Sequence, residues 1–182
     1  MAQIDPKPLS EHRRVLSLAE MQTAFDFEPV FHGNVLLPIY DYTAHGDGSE
    51  FTLRRNRQVF GWVDIMPARA AIAASQVDLS SELLGVKMKF PILVAPTAYH
   101  RMAHPDGELA TARAAAAEGT IYVASTLATT RLEDVAAAAT SPKWFQLYVH
   151  KDRGFTKELV ERAETAGYEA IVLTVDTPLL GR

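Results

Sequence analysis

The feature that most constrains this chain is a repeat of apolar strand and helix that begins after Phe90. Four apolar segments, residues 91–95, 121–124, 145–149 and 170–175, each run into polar or turn residues. Helical stretches lie between them: 106–118 with an alanine-rich run, 132–139, and 156–166 with Leu159, Val160, Ala163 and Ala166 on one face. The markers Ile92, Ile121, Phe145 and Ala170 recur at intervals of 29, 24 and 25 residues, the length of successive right-handed βαβ units. This predicts a parallel sheet. The runs at 91–95 and 170–173 are continuously apolar, as strands buried on both faces require, so helices should cover the sheet. Periodicity alone leaves two α/β architectures open: an incomplete barrel of about four βα units, or an open doubly wound sheet.

The residues before the repeat are less regular. Residues 1–35 lack clear periodicity apart from a short helix around 18–25, and His32, Gly33 and Asn34 read as turn residues of an irregular lead-in. Ser49 is placed to cap a helix that Pro67 ends, with Arg54, Arg55 and Arg57 as its solvated face. Residues 77–90 alternate loosely around Gly85 and predict a hairpin or a pair of short strands. The first twenty residues are polar and broken by Pro6 and Pro8, which predicts neither a signal peptide nor a membrane span and makes a cytoplasmic location the expectation.

With 182 residues, 48% of them hydrophobic, the chain can bury a substantial core. A net charge of −4 provides no field for nucleic acid or an anionic membrane. There is no cysteine, so disulfides, thiolate metal sites and thiol nucleophiles are excluded, and redox chemistry would need a bound cofactor.

The polar residues gather at the carboxyl ends of the expected strands, where parallel α/β proteins place their chemistry. Pro96, Thr97 and Ala98 follow the first, Ser125 and Thr126 the second; Gln146 and Tyr148 sit in the third, Thr174 and Asp176 at the fourth. Hydroxyls and a carboxamide around a ring suit the edge of a flat, neutral heterocycle, which needs donors and acceptors together. The same side chains also commonly satisfy loop backbone groups. His104 and Glu108 are spaced i, i+4, but Pro105 and Asp106 fit the first turn of a helix, and no metal site is expected there. Trp144 reads as core, and Lys151, Asp152 and Arg153 as a solvated helix entry.

Five motifs in register give a specific resemblance: Tyr40-Asp41-Tyr42, Ala95-Pro96-Thr97-Ala98, Ala103-His104-Pro105-Asp106-Gly107-Glu108, Phe145-Gln146-Leu147-Tyr148-Val149 and Leu173-Thr174-Val175-Asp176-Thr177-Pro178. From about Tyr40 to Arg182 the chain resembles the FMN-dependent 2-hydroxy acid oxidases and dehydrogenases, the glycolate and lactate oxidase family. That resemblance implies a TIM (β/α)8-barrel, of which residues 36–182 would be the amino-terminal half behind a lead-in at 1–35. It implies FMN as cofactor and a small 2-hydroxy acid, oxidised to the 2-oxo acid, as substrate. Pro96, Thr97 and Ala98 would lie against the flavin ring, and Ser125, Gln146 and Thr174 would hydrogen-bond its polar edge. Tyr42 would donate to the substrate carboxylate, Tyr148 would contact the substrate hydroxyl as a neutral phenol, and Asp176 would orient a catalytic histidine. The family places that histidine, a substrate arginine, a flavin-contacting lysine and the phosphate-binding loops in its second half, beyond these 182 residues. Leu127 stands where short-chain oxidases often have tryptophan, which implies room for a larger acid. The expectation is a chain inactive alone that needs self-association or a second half-barrel. The alternatives are a non-catalytic assembly module and a truncated fragment.

Overall fold

A computed structural model describes residues 15–66 and 73–177, and backbone contacts gather the chain into two units that divide between Phe60 and Gly61.

In the first unit, a 3-10 turn at Ala24–Phe27 is closed by the Asp26 carboxylate, which accepts from the backbone N–H groups of Gln22 and Thr23. Helix α1 (Glu28–Asn34) follows, with proline in its first turn. The helix expected around 18–25 is therefore a turn and a 3-10 segment, and the regular helix starts later. His32, Gly33 and Asn34 are its last turn rather than an irregular lead-in, because Asn34 Nδ2 donates to the Val30 carbonyl at 2.7 Å and closes that turn. Helix α2 (Leu37–Ala44) buries Tyr40, whose hydroxyl donates to Glu28 at 3.0 Å. Helix α3 (Phe51–Gln58) begins at Glu50, in left-handed backbone with φ of 56°, and not at Ser49; the Ser49 carbonyl instead accepts from Arg54 at 2.6 Å. The helix tightens to a 3-10 turn at Val59–Trp62, while Pro67 lies outside the described residues. Arg54, Arg55 and Arg57 are exposed.

The second unit opens with a hairpin, β1 (Ser81–Leu83) and β2 (Val86–Met88). Its two-residue turn has positive φ at both Leu84 and Gly85, the left-handed pair that matches the twist of the flanking strands. Then come α4 (His100–Ala103), α5 (Gly107–Glu118), β3 (Tyr122–Ala124), α6 (Leu132–Ala138), β4 (Lys143–Leu147), α7 (Arg153–Thr165) and β5 (Ala170–Leu173). The strands pair in parallel in the order β3-β4-β5, and among the described residues the sheet does not close on itself.

The strand expected at 91–95 contracts to a single parallel bridge, Val94 with Tyr122. Pro91 and Pro96 have no N–H to give a ladder. Ile92 N–H turns back to the Phe90 carbonyl, and the Ile92 carbonyl takes the Thr120 hydroxyl instead of a backbone donor. Only Val94 exchanges ladder bonds, donating to Ile121 and accepting from Val123. β4 lies two residues earlier than expected, because Tyr148 N–H leaves the ladder for the Thr126 hydroxyl. The helices match the predicted stretches closely. Gly119, at φ of 69°, ends α5, and the Asp152 carboxylate caps α7 by accepting from the N–H groups of Gly154 and Phe155.

Alternation along the strands separates two layers. Tyr122, Ala124, Phe145 and Leu147 face α5–α7 and pack with Ala112, Val135, Leu159 and Ala163. Ile121, Val123 and Trp144 face the other way and pack with Met88 of the hairpin. On the β5 edge, Ile171 and Leu173 keep 42% and 51% of their surface exposed. Among the described residues no helix is long and apolar enough to cross a membrane.

Candidate functional site

The layer that carries Trp144 becomes polar at the carboxyl ends of its strands. Gln146 is only 2% exposed, yet its side chain is well supplied with partners. Its Oε1 accepts from the Ser125 hydroxyl at 3.3 Å and from Thr126 N–H at 3.1 Å, while Nε2 donates to the Thr174 hydroxyl at 2.7 Å. Ser125 Oγ accepts from Leu127 N–H at 3.0 Å, and Thr126 Oγ1 both donates to the Gln146 carbonyl at 2.6 Å and accepts from Tyr148 N–H. Three successive strand ends are thus joined in one hydrogen-bonded row: Ser125, Gln146, Thr174.

Among the described residues, two donors remain along that row: Gln146 Nε2 uses one of its two N–H bonds, and Thr174 Oγ1 accepts without spending its own proton on a described partner. A flat ring with carbonyl and ring-nitrogen acceptors along one edge fits such a donor set, so the residues are compatible with a flavin. A phosphate would instead call for arginine or a glycine-rich loop.

Beside this row lies the loop after Val94. Pro96 and Thr97 are exposed, Ala98 is half-buried, and Tyr99 sits in left-handed backbone with φ of 57°, a strained conformation for an aromatic residue. Tyr99 N–H donates to the Leu127 carbonyl at 3.1 Å, which ties this loop to the one carrying Ser125. Tyr148 is half-buried just past β4, and Asp176 is exposed beyond β5. Tyr42 lies on α2 of the first unit with 60% of its surface exposed. Residues 178–182 lie outside the described residues.

One buried group escaped the sequence reading. Glu108, which the spacing places in a helix start, is fully buried, and its carboxylate accepts from two loops at once. Oε1 takes Thr129 N–H at 2.6 Å and His100 N–H at 3.3 Å; Oε2 takes the Thr130 hydroxyl at 2.7 Å; the Thr129 hydroxyl reaches both oxygens. Burial alone would raise its pKa, but the Thr129 amide and the Thr130 and Thr129 hydroxyls outweigh it and hold the group at about 2. His104 takes no part in this cluster; its Nδ1 accepts from Asp106 N–H at 3.2 Å. Among the described residues no group of three or more His, Asp or Glu side chains is arranged to hold a metal ion. The Thr129-Thr130 pair ahead of α6 was the only signal for Glu108's partners, and nothing in the sequence aligns it with a residue 21 positions earlier.

Comparison with known proteins gives this geometry a family context. A family model described as FMN-dependent dehydrogenase matches residues 34–182. Glycolate oxidase 1 of Oryza sativa subsp. indica is 46% identical over 165 residues, 91% of this chain and 44% of that protein. L-lactate oxidase of Nostoc sp. is 46% identical over 162 residues, 87% of this chain and 44% of that protein. A solved structure of mandelate oxidase superposes with a TM-score of 0.81 at 40% identity, covering 87% of this chain and 46% of that one. A mandelate oxidase variant solved with a C4a-hydroxy FMN adduct gives 0.80 at 40% identity, over 86% and 47%. The chain spans about 44% of the length of these curated relatives.

Proposed function

Because the chain belongs to the FMN-dependent dehydrogenase family, we propose that it supplies the amino-terminal half of a flavin site that oxidises a small 2-hydroxy acid to the 2-oxo acid. On this reading residues 36–182 form about four βα units of a (β/α)8-barrel behind a lead-in at 1–35. The observation that carries it is the row Ser125, Gln146, Thr174, with two donors left over at the carboxyl end of a parallel sheet.

FMN, when bound, accepts the two electrons that the substrate carbon loses. Gln146 Nε2 and the Thr174 hydroxyl donate to the acceptor edge of the ring, and Ser125 holds Gln146 in the orientation that allows this. The backbone of Pro96, Thr97 and Ala98 lies against the ring. Tyr148 donates to the substrate oxygen as it becomes a carbonyl, and Tyr42 donates to the substrate carboxylate. Asp176 accepts from the histidine that takes the substrate proton, fixing its ring and stabilising its positive charge. That histidine and the substrate arginine come from a second half-barrel, in the same polypeptide or in another. The exposed apolar side chains of Ile171 and Leu173 support a covering segment at β5.

The test is to titrate FMN and riboflavin into the 182-residue chain, with and without a second half, and to follow flavin absorption and its bleaching by 2-hydroxy acids. Both flavins should bind the chain alone with similar affinity, because the phosphate-binding loops belong to the second half, and bleaching should need both halves. Bleaching by the chain alone would overturn the division of labour. Failure of either mixture to bind flavin would overturn the flavin reading.

A further inference from the structure

Two loops must meet one ring if the flavin reading holds: the loop with Pro96, Thr97 and Ala98, and the loop with Ser125 and Thr126. They are not neighbours in sequence, and neither is part of a regular element. What joins them is a short set of bonds that runs through Glu108. His100 N–H, two residues beyond Ala98, donates to Glu108; Thr129 N–H, three residues beyond Thr126, donates to the same oxygen. Arg101 N–H donates to the Thr129 hydroxyl at 3.1 Å, which itself donates to the Glu108 carboxylate. Tyr99, held in left-handed backbone, completes the join through the Leu127 carbonyl.

We propose that Glu108 is a positioning residue, an internal clasp that fixes the spacing and tilt of these two loops so that both address one planar ring together. The inference rests on the flavin reading above and extends it to a residue that touches neither cofactor nor substrate. A buried acceptor is required here because His100 and Thr129 present backbone N–H groups, which cannot reverse their role. The other oxygen faces hydroxyls, which can rotate. Glutamine can therefore replace glutamate with its Oε1 toward the amides and its Nε2 donating to Thr129 and Thr130, whereas alanine leaves the buried donors without an acceptor.

The experiment has two arms, both on the 182-residue chain at a temperature where each variant is folded. Without flavin, amide hydrogen exchange should show lost protection at His100, Arg101 and Thr129 in Glu108→Ala, with Val123, Phe145 and Ile171 unchanged and Glu108→Gln close to wild type. With FMN, Glu108→Ala should raise Kd about tenfold, while Glu108→Gln stays within about threefold. Leu159→Ala, a core change away from the loops, should lower the unfolding temperature and leave Kd alone, which separates positioning from general stability. Should Glu108→Ala not fold, Thr129→Val decides: it removes the link to Arg101, and should free that amide and weaken FMN. Unchanged exchange at these amides, or unchanged FMN affinity in the folded variants, overturns the proposal. If wild type binds no FMN, the flavin reading for this chain falls, and the exchange arm still decides whether Glu108 clasps the loops.

Discussion

Phe145 and Gln146 are consecutive residues of β4, each 2% exposed, and their burial serves opposite ends. Phe145 points to the helices, packs within an apolar cluster and meets the Tyr168 ring edge-on at 5.9 Å. Gln146 points the other way and is tolerated there only because Ser125, Thr126 and Thr174 satisfy it. Equal burial therefore marks core on one side of the strand and a candidate site on the other. The list of hydrogen-bond partners, and not the exposed area, tells the two apart.

The largest effect expected from this contrast is on the helix side. Phe145→Ala should cost about 3–5 kcal/mol in urea or thermal unfolding, since it removes a packed ring from between sheet and helices. A loss below about 1 kcal/mol would mean that the layer is not closely packed.

Acid tests the loops at the polar end. The folded-state pKa of Glu108, about 2, lies below its ordinary value of 4.5, so its contribution to stability is complete above the unfolded value. It should decline as pH falls from about 4.5 through about 2, by on the order of 3 kcal/mol in total. A pH titration of the unfolding free energy in wild type and Glu108→Gln should show that difference, and coincident curves would remove it.

Gln146→Ala should be milder for the fold, at about 1–2 kcal/mol, because two of its partners, Thr126 and Thr174, are only half-buried at the strand ends. It should nevertheless weaken FMN about tenfold, measured by quenching of flavin fluorescence. If stability drops as far as in Phe145→Ala with no change in flavin binding, the distinction between the two faces fails.

The smallest effect belongs to the outer surface. Glu133 is also held at about 2, chiefly by the Arg162 guanidinium, which reaches it at 2.7 Å from α7. The pair is one-third exposed, so solvent screens it, and Glu133→Gln should cost under about 1 kcal/mol, with the difference shrinking further in 1 M salt. Two carboxylates with similar depressed pKa values thus differ in consequence, because one is buried among neutral donors and the other pairs with a cation in water.

Much of this arrangement was legible from the residues. The three helices after Pro105 and the strands β3–β5 follow from apolar periodicity, since burial on a parallel sheet demands it. The row at the strand ends was legible because its members repeat at the same place in successive units. Elsewhere local chemistry overrode pattern. Two prolines reduced the apolar run at 91–95 to one bridge, a single Asn34 side chain turned a loop-like stretch into helix, and Glu50, in left-handed backbone, took the cap position expected of Ser49. Glu108 was hidden for a different reason: its partners are distant in sequence, and spacing reports only on neighbours along one element.

The hairpin sets the electrical surroundings of the polar row. Met88 joins Ile121, Val123 and Trp144 in an apolar layer toward the amino ends of the strands, on the same face as Gln146. The free donors of Gln146 and Thr174 therefore have poorly polarisable hydrocarbon on one side and water on the other. A hydrogen bond made there is shielded on only one side, so its strength will depend on whatever covers the open side: the more water the covering segment or ligand excludes, the stronger the bond.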